Sequence, residues 1–110
     1  MVTKPSETDT VPMLPLPEWM TRSDLIILNF LDGHREVEDL AVPPMVLSRN
    51  TSIAKSTARG RLGELTDGGL TEKMNDTGGY YHLSDLGRRF LHEELTDEER
   101  DMIYGRDKNK

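Results

Sequence analysis

No apolar segment of this chain runs longer than a short helix before a glycine or proline interrupts it. The interruptions fall at Gly33, Pro43-Pro44, Gly68-Gly69 and Gly78-Gly79, residue types that helix interiors and strands tolerate poorly. No run approaches the ~20 apolar residues of a membrane helix. A chain of 110 residues suits one domain with tails, and such a domain has a modest core and little room for a deep substrate cleft. The apolar stretch from Val11 to Met20 is cut by Pro12, Pro15 and Pro17 with no cleavage site after it, so no signal peptide is read and the protein is placed in the cytoplasm. The absence of cysteine excludes disulfides, thiolate zinc sites and cysteine nucleophiles.

Thr21-Arg22-Ser23-Asp24 has the pattern of a capping box, with Met20 and Leu25 spaced as a hydrophobic staple. Leu25, Ile26, Ile27, Leu28, Phe30 and Leu31 then fill the inward side of a first helix that Gly33 stops. The stretch from His34 to Ala41 is charged and irregular, with Val37 in a short strand. Pro is well tolerated at the first helical position, so Pro43-Pro44 opens a second helix reaching Arg49, with Met45, Val46 and Leu47 on its apolar side. Asn50-Thr51-Ser52 makes a tight turn, and Ser52 caps a third helix that runs to Asp67 before Gly68-Gly69. On that helix Ala54, Ala58, Leu62 and Leu65 share one arc. Ser52, Ser56, Arg59, Gly60 and Gly63 lie opposite, with Lys55 and Thr57 on the flanks. Two short helices joined by such a turn, the second amphipathic, form a helix-turn-helix.

The stretch from Leu70 to Asn75 alternates as a strand, Asp76-Thr77-Gly78-Gly79 is a hairpin turn, and Tyr80 to Leu83 is the return strand. Ser84-Asp85 caps a fourth helix with Leu86, Phe90 and Leu91 inward, and Thr96-Asp97-Glu98-Glu99 is a second capping box that opens a last helix through Tyr104. The fold class is α+β, a winged helix-turn-helix with a three-helix core, a β-hairpin wing and C-terminal helices. Three spans follow: a proline-rich arm over 1–18, the winged-helix domain over 19–95, and a C-terminal helix with a charged tail over 96–110.

The 20 acidic and 14 basic residues give a net charge of −6, a poor default for binding DNA, whose phosphates repel an acidic chain. The distribution weakens that objection. From Leu40 to Gly63 there is no Asp or Glu, and Arg49, Lys55, Arg59 and Arg61 all lie there. Lys55 and Arg59, one turn apart on the outward side of the third helix, are read as contacts to phosphate or guanine. Ser52, Ser56 and Thr57 belong to the same surface, and Arg49 stands beside the turn within reach of a phosphate. Gly60 either lets the helix backbone approach DNA closely or accommodates packing. Arg61 either contacts DNA or lays its stem over the core. Lys73 is a DNA contact from the wing, although Asp76 near the tip suits a purely structural hairpin equally. Tyr80 and Tyr81 are read as core and cross-strand partners. His34, His82 and His92 lack metal-ligand spacing, and Glu36, Glu38 and Asp39 read as a charged loop rather than an acid–base pair. No metal, cofactor, small-molecule ligand or catalytic residue is read, so the chain is not expected to be an enzyme.

Several segments together resemble the winged-helix proteins of halophilic archaea related to the phage phi-H repressor. They are Trp19-Met20-Thr21, the Leu40 to Asn50 stretch with Pro43-Pro44, Arg61-Leu62-Gly63-Glu64-Leu65, Gly69-Leu70, and Tyr81-His82-Leu83-Ser84-Asp85-Leu86-Gly87. The resemblance covers residues 19–95. It implies a DNA-binding regulator, a repressor, in a high-salt cytoplasm, whose acidic surface and preference for Arg over Lys are salt adaptation. Double-stranded DNA is then the partner, with the third helix in the major groove. A single winged helix reads few base pairs, so a homodimer is expected, joined through apolar groups of the arm (Met13, Leu14, Leu16) or the tail (Leu95, Met102, Ile103, Tyr104). Two alternatives stand beside this: arm and tail folded back over a monomer, and a winged-helix module that binds protein instead of DNA.

Overall fold

The first helix, α1 (Arg22–Asp32), begins with the capping box its sequence calls for. Thr21 Oγ1 accepts the Asp24 N–H at 3.3 Å and the Asp24 carboxylate accepts the Thr21 N–H at 2.9 Å. The structure, a computed structural model, describes residues 16–33, 41–74 and 79–106. The strand expected at Val37 and the turn residues Asp76, Thr77 and Gly78 lie outside them. Met20 and Leu25, the staple pair, are both buried, and Ile27, Leu28 and Leu31 extend the same face. Ile26 and Phe30, also expected inward, are half-buried at the core's margin, because one face of an amphipathic helix cannot take every apolar residue of so dense a run.

The second helix, α2, covers Pro44–Asn50 with proline at its start, and Pro44 and Leu47 are its buried residues. Met45 was expected on the apolar side and is 43% exposed; two residues from Leu47, it sits about 200° around the helix. The third helix, α3, spans Lys55–Asp67, and its N-cap is Ala54 rather than the expected Ser52. The reason lies in the turn. Thr51 Oγ1 donates to the Leu47 carbonyl and accepts the Ile53 N–H at 3.2 Å. That bracket closes the turn and drives Ile53 into the core at 6% exposure. Helix can only begin after Ile53, so Ala54 sits at the exposed cap while Ala58, Leu62 and Leu65 form the buried arc.

Two short strands follow, β1 (Thr71–Lys73) and β2 (Tyr81–Leu83), paired antiparallel with Thr71 opposite Leu83 and Lys73 opposite Tyr81. Val42 adds a third position to this sheet by exchanging both backbone hydrogen bonds with Tyr81 at 2.9 Å. A residue preceding proline is held extended, so Val42, next to Pro43, is ready-made for that pairing. The fourth helix, α4, is Asp85–Leu91. Its N-cap Ser84 accepts the Gly87 N–H at 2.9 Å and donates to the Gly69 carbonyl at 2.7 Å, tying the wing's base to the helix. The last helix, α5, is Asp97–Tyr104, opened by the second capping box. Within the core α3 packs on α1 and α2, and α1 on α4 and the sheet.

The segment after Leu95 closes onto its own domain. Ile103 has no exposure, and its carbonyl accepts the Trp19 indole N–H at 2.8 Å. Burying an isoleucine side chain contributes about 2 kcal/mol. Tyr104 lies against Phe90 at 6.3 Å between ring centroids, and Arg106 stacks over Trp19 at 4.5 Å while pairing with Glu64. Leu16 and Leu95 also pack on the core. Of the apolar groups that argued for pairing two copies through the tail, Ile103 is buried within its own chain, Leu95 and Tyr104 are partly buried against the core, and Met102 is 56% exposed; Met13 and Leu14 lie outside the described residues.

Two outcomes are expected. A Cβ at Gly87 would stand 2.1 Å from the Leu70 carbonyl oxygen, backbone against backbone, whereas one at Gly63 meets nothing within 4 Å. Gly87→Ala is therefore expected to lower the urea-unfolding free energy by about 3 kcal/mol, and Gly63→Ala to raise it by up to about 1 kcal/mol; equal effects would contradict the packing at the wing's base. The second concerns acid. Hydrogen bonds from Arg89 and the Thr96 N–H lower the Glu99 carboxyl from its ordinary 4.5 to about 2. A carboxylate with a depressed folded value stabilises above pH 4.5, and that contribution is lost as pH falls toward 2. Glu99→Gln keeps a capping box but not the charge, so its stability is expected to fall less steeply over that window; a profile parallel to the wild type would show that the Arg89 pair does not hold α5.

Candidate nucleic-acid interface

The turn that pulls Ile53 inward also decides what faces outward. Arg49 ends α2, and Ser52, Lys55, Ser56, Thr57, Arg59 and Gly60 are all exposed along the turn and the first half of α3. Among the described residues, the side chains of Arg49, Lys55 and Arg59 make no ion pair or hydrogen bond with the protein. Ala54 supplies no side-chain cap, so the first N–H groups of α3 also face solvent with the positive end of the helix dipole. No Asp or Glu occurs between residues 41 and 63; Glu93, Glu94, Asp97, Glu98 and Asp101 are exposed after α4 and on α5, and Glu64 and Asp67 on the last turns of α3. An acidic protein therefore carries one surface where an anion meets unpaired cations.

Gly60 is open to two readings on sequence, and its surroundings, like those of Gly63, show no packing role. A Cβ at either would meet nothing within 4 Å, so neither glycine makes room for a neighbouring element. At Gly60 the consequence is an exposed stretch of bare helix backbone between Arg59 and Arg61.

Arg61 takes the inward of its two alternatives. Its Nε donates to Asp24 Oδ1 at 2.7 Å, and one Nη donates to Asp24 Oδ2 at 2.7 Å and to the Trp19 carbonyl at 3.0 Å. The Asp24 side chain has no exposure and that of Arg61 has 24%. Hydrogen bonding to Asp24 raises the guanidinium's pKa, against the opposing effect of burial. This cation is spoken for and stands apart from the exposed set. Asp24 and Trp19 were not singled out by the sequence as parts of this site; Asp24 was legible as a cap, but a partner 37 residues away leaves no local pattern.

The wing contributes less. Lys73 is exposed, with its ammonium 5.9 Å from the centroid of the Tyr81 ring. Tyr81 is buried as expected of a cross-strand partner, but Tyr80 is 40% exposed and Met74 37%. His82 is taken up by Glu72 at 3.3 Å. Among the described residues no group of three His, Asp or Glu is placed to hold a metal ion, and no helix is long and apolar enough to cross a membrane.

The same arrangement of elements occurs in known proteins. The crystal structure of a PhiH1 repressor-like protein from Haloarcula marismortui superposes with a TM-score of 0.60 at 26% identity, over 74% of this chain and 86% of that one. The repressor protein of Halobacterium phage phiH is 34% identical over 80 residues, 72% of this chain and 86% of the relative. A profile of the winged helix-turn-helix phage repressor family matches residues 13–102. With both its sequence and its fold matched over most of its length, the chain belongs to the winged helix-turn-helix phage repressor family.

Proposed function

We propose that this protein is a DNA-binding transcriptional regulator, a repressor, that reads a specific duplex sequence with α3 in the major groove. The observation that carries this reading is the exposed face of α3. Lys55 and Arg59 stand unpaired one turn apart in a stretch of chain without Asp or Glu, beside backbone laid bare at Gly60. A base-reading helix needs long cations with no partner in the free protein, because each must exchange water, not a carboxylate, for a guanine edge or a phosphate. Arg49 and Ser52 lie where the first helix of a helix-turn-helix meets the sugar–phosphate backbone, and Ser56 and Thr57 flank the reading face. Lys73 reaches DNA from the wing. Arg61 is left out of the contact set because Asp24 and Trp19 hold it.

The regulator acts in the cytoplasm, where the genome is, and performs no catalysis; the relatives' names as repressors support this. Two copies bind one operator, with reading helices ~34 Å apart on a palindrome, because one winged helix specifies too few base pairs to find a site in a genome. That ground for a dimer is independent of the tail, of which Ile103 is buried and Leu95 and Tyr104 are partly buried within one chain.

Selection of genomic fragments by the full chain in molar salt tests the reading, since a Debye length of ~3 Å leaves little long-range attraction to phosphate. Specific fragments are expected to be retained and random DNA lost. Lys55→Ala with Arg59→Ala is expected to weaken binding to a retained fragment about 100-fold, while the unfolding free energy stays within about 0.5 kcal/mol of wild type because both side chains are exposed. Unchanged affinity in the double variant, or no fragment retained by the wild type, would point instead to a protein-binding module.

A further inference from the structure

α3 packs on α1, α2 and β1 through apolar side chains, and among the described residues its directional side-chain contacts are those of Arg61, of Glu64 with Arg106, and of Thr66 with Thr71 in the last turn. Over Lys55–Asp67 its buried side chains are Ala58, Leu62 and Leu65, and apolar contacts of this kind are non-directional. Gly60 and Gly63 add no interlocking side chain at all. The directional contact on this helix's middle turn is Arg61. Its planar guanidinium bonds both oxygens of Asp24, an arrangement that fixes angle as well as distance. The receiving carboxylate is itself fixed, because Asp24 closes the cap of α1 by accepting the Thr21 N–H. The third bond runs to the carbonyl of Trp19, whose indole is held by the Ile103 carbonyl. At about 100° per residue Arg59 lies some 200° around the helix from Arg61, so the grip on one side aims the cation on the other.

We propose that Arg61 is a positioning residue for DNA reading: by gripping Asp24 and the Trp19 carbonyl it sets the rotation of α3 and thereby the register in which Arg59 and Lys55 meet base edges. The proposal rests on the DNA-reading function above. It separates the four cations of the acid-free window into two kinds, three that touch nucleic acid and one that aims them. It also explains how a weakly amphipathic helix with two interior glycines presents a defined face.

The test uses the full chain and two duplexes of about 20 base pairs, two helical turns: one selected by the wild type from a random pool, and one of the same composition in scrambled order. Arg61→Lys keeps the charge and loses the two-pronged grip. It is expected to bind the scrambled duplex within about twofold of wild type, since phosphate attraction is unchanged. Binding to the selected duplex is expected to fall about tenfold, the effect of one misread base pair. Should Arg61→Lys fail to fold, Arg61→Met combined with Asp24→Leu replaces the buried pair by apolar groups, a change that folded proteins tolerate, and the same loss of selectivity is expected. Backbone N–H dipolar couplings of the free variant are expected to show α3 reoriented relative to α1. A selected-to-scrambled ratio within about twofold of wild type, in a folded variant of either kind, overturns the positioning role. A wild type that enriches no duplex removes the DNA reading itself, and the proposal with it. Couplings that leave α3 in place would show that apolar packing alone aims the helix.

Discussion

A carboxylate with no access to water persists only while its partners hold it, and Asp24 is such a group. It closes the cap of α1 and holds α3 through Arg61, and the same guanidinium reaches the Trp19 carbonyl. Trp19 in turn carries the C-terminal helix on its indole N–H and accepts Arg106 over its ring. The start of the domain, α3 and the last helix are therefore linked through one ion pair. Losing one member of such a pair costs about 3 kcal/mol, since the other is left buried and unpaired, and that is a large share of the ~5–15 kcal/mol that holds a small domain together. The pair's importance lies less in net stabilisation than in geometry: an apolar residue at position 61 could be buried in several rotations of the helix, a bidentate arginine in one.

The acidic character of the protein and the proposed nucleic-acid surface are compatible because the cations of that surface fall in a stretch of chain without Asp or Glu. Five of the exposed acids follow α4 or lie on α5, others stand at Glu18, Glu64, Asp67, Glu72 and Asp85, and the acid-free window covers α2 and the first nine residues of α3. The relatives come from a phage of Halobacterium and from Haloarcula marismortui. In strong salt the repulsion between acids and phosphates is screened as thoroughly as the attraction of cations, so contact-range chemistry decides. Free cations one turn apart and a bare helix backbone at Gly60 belong to that range.

Local signals in the sequence were read well where the physics is local. Both capping boxes, the stop at Gly33, the proline start of α2 and the serine cap of α4 depend on residues within four positions of each other, and each forms as its pattern demands. The cap of α3 lies two residues beyond the Ser52 that the sequence suggests, because Thr51 closes the turn and Ile53 is buried, so that Ala54 becomes the cap. Val42 as a sheet position, Ile103 beneath Trp19, and Arg61 on Asp24 all depend on partners at least 37 residues away. Periodicity could place Arg61 at the edge of the buried arc but could not say what waited there. The tail shows the same limit: its apolar residues were legible as needing cover, and only the fold shows that the chain's own core covers Ile103 fully and Leu95 and Tyr104 in part.

Amide chemical-shift mapping of the full chain against a selected duplex at high salt addresses the central claim most directly, because it reports contact residue by residue without altering the protein. Reading by α3 predicts the largest changes at Arg49, Ser52 and from Lys55 to Gly60, with the amides of α5 unmoved. Changes concentrated on α5 or on Met74 and Tyr80, with α3 silent, would contradict it.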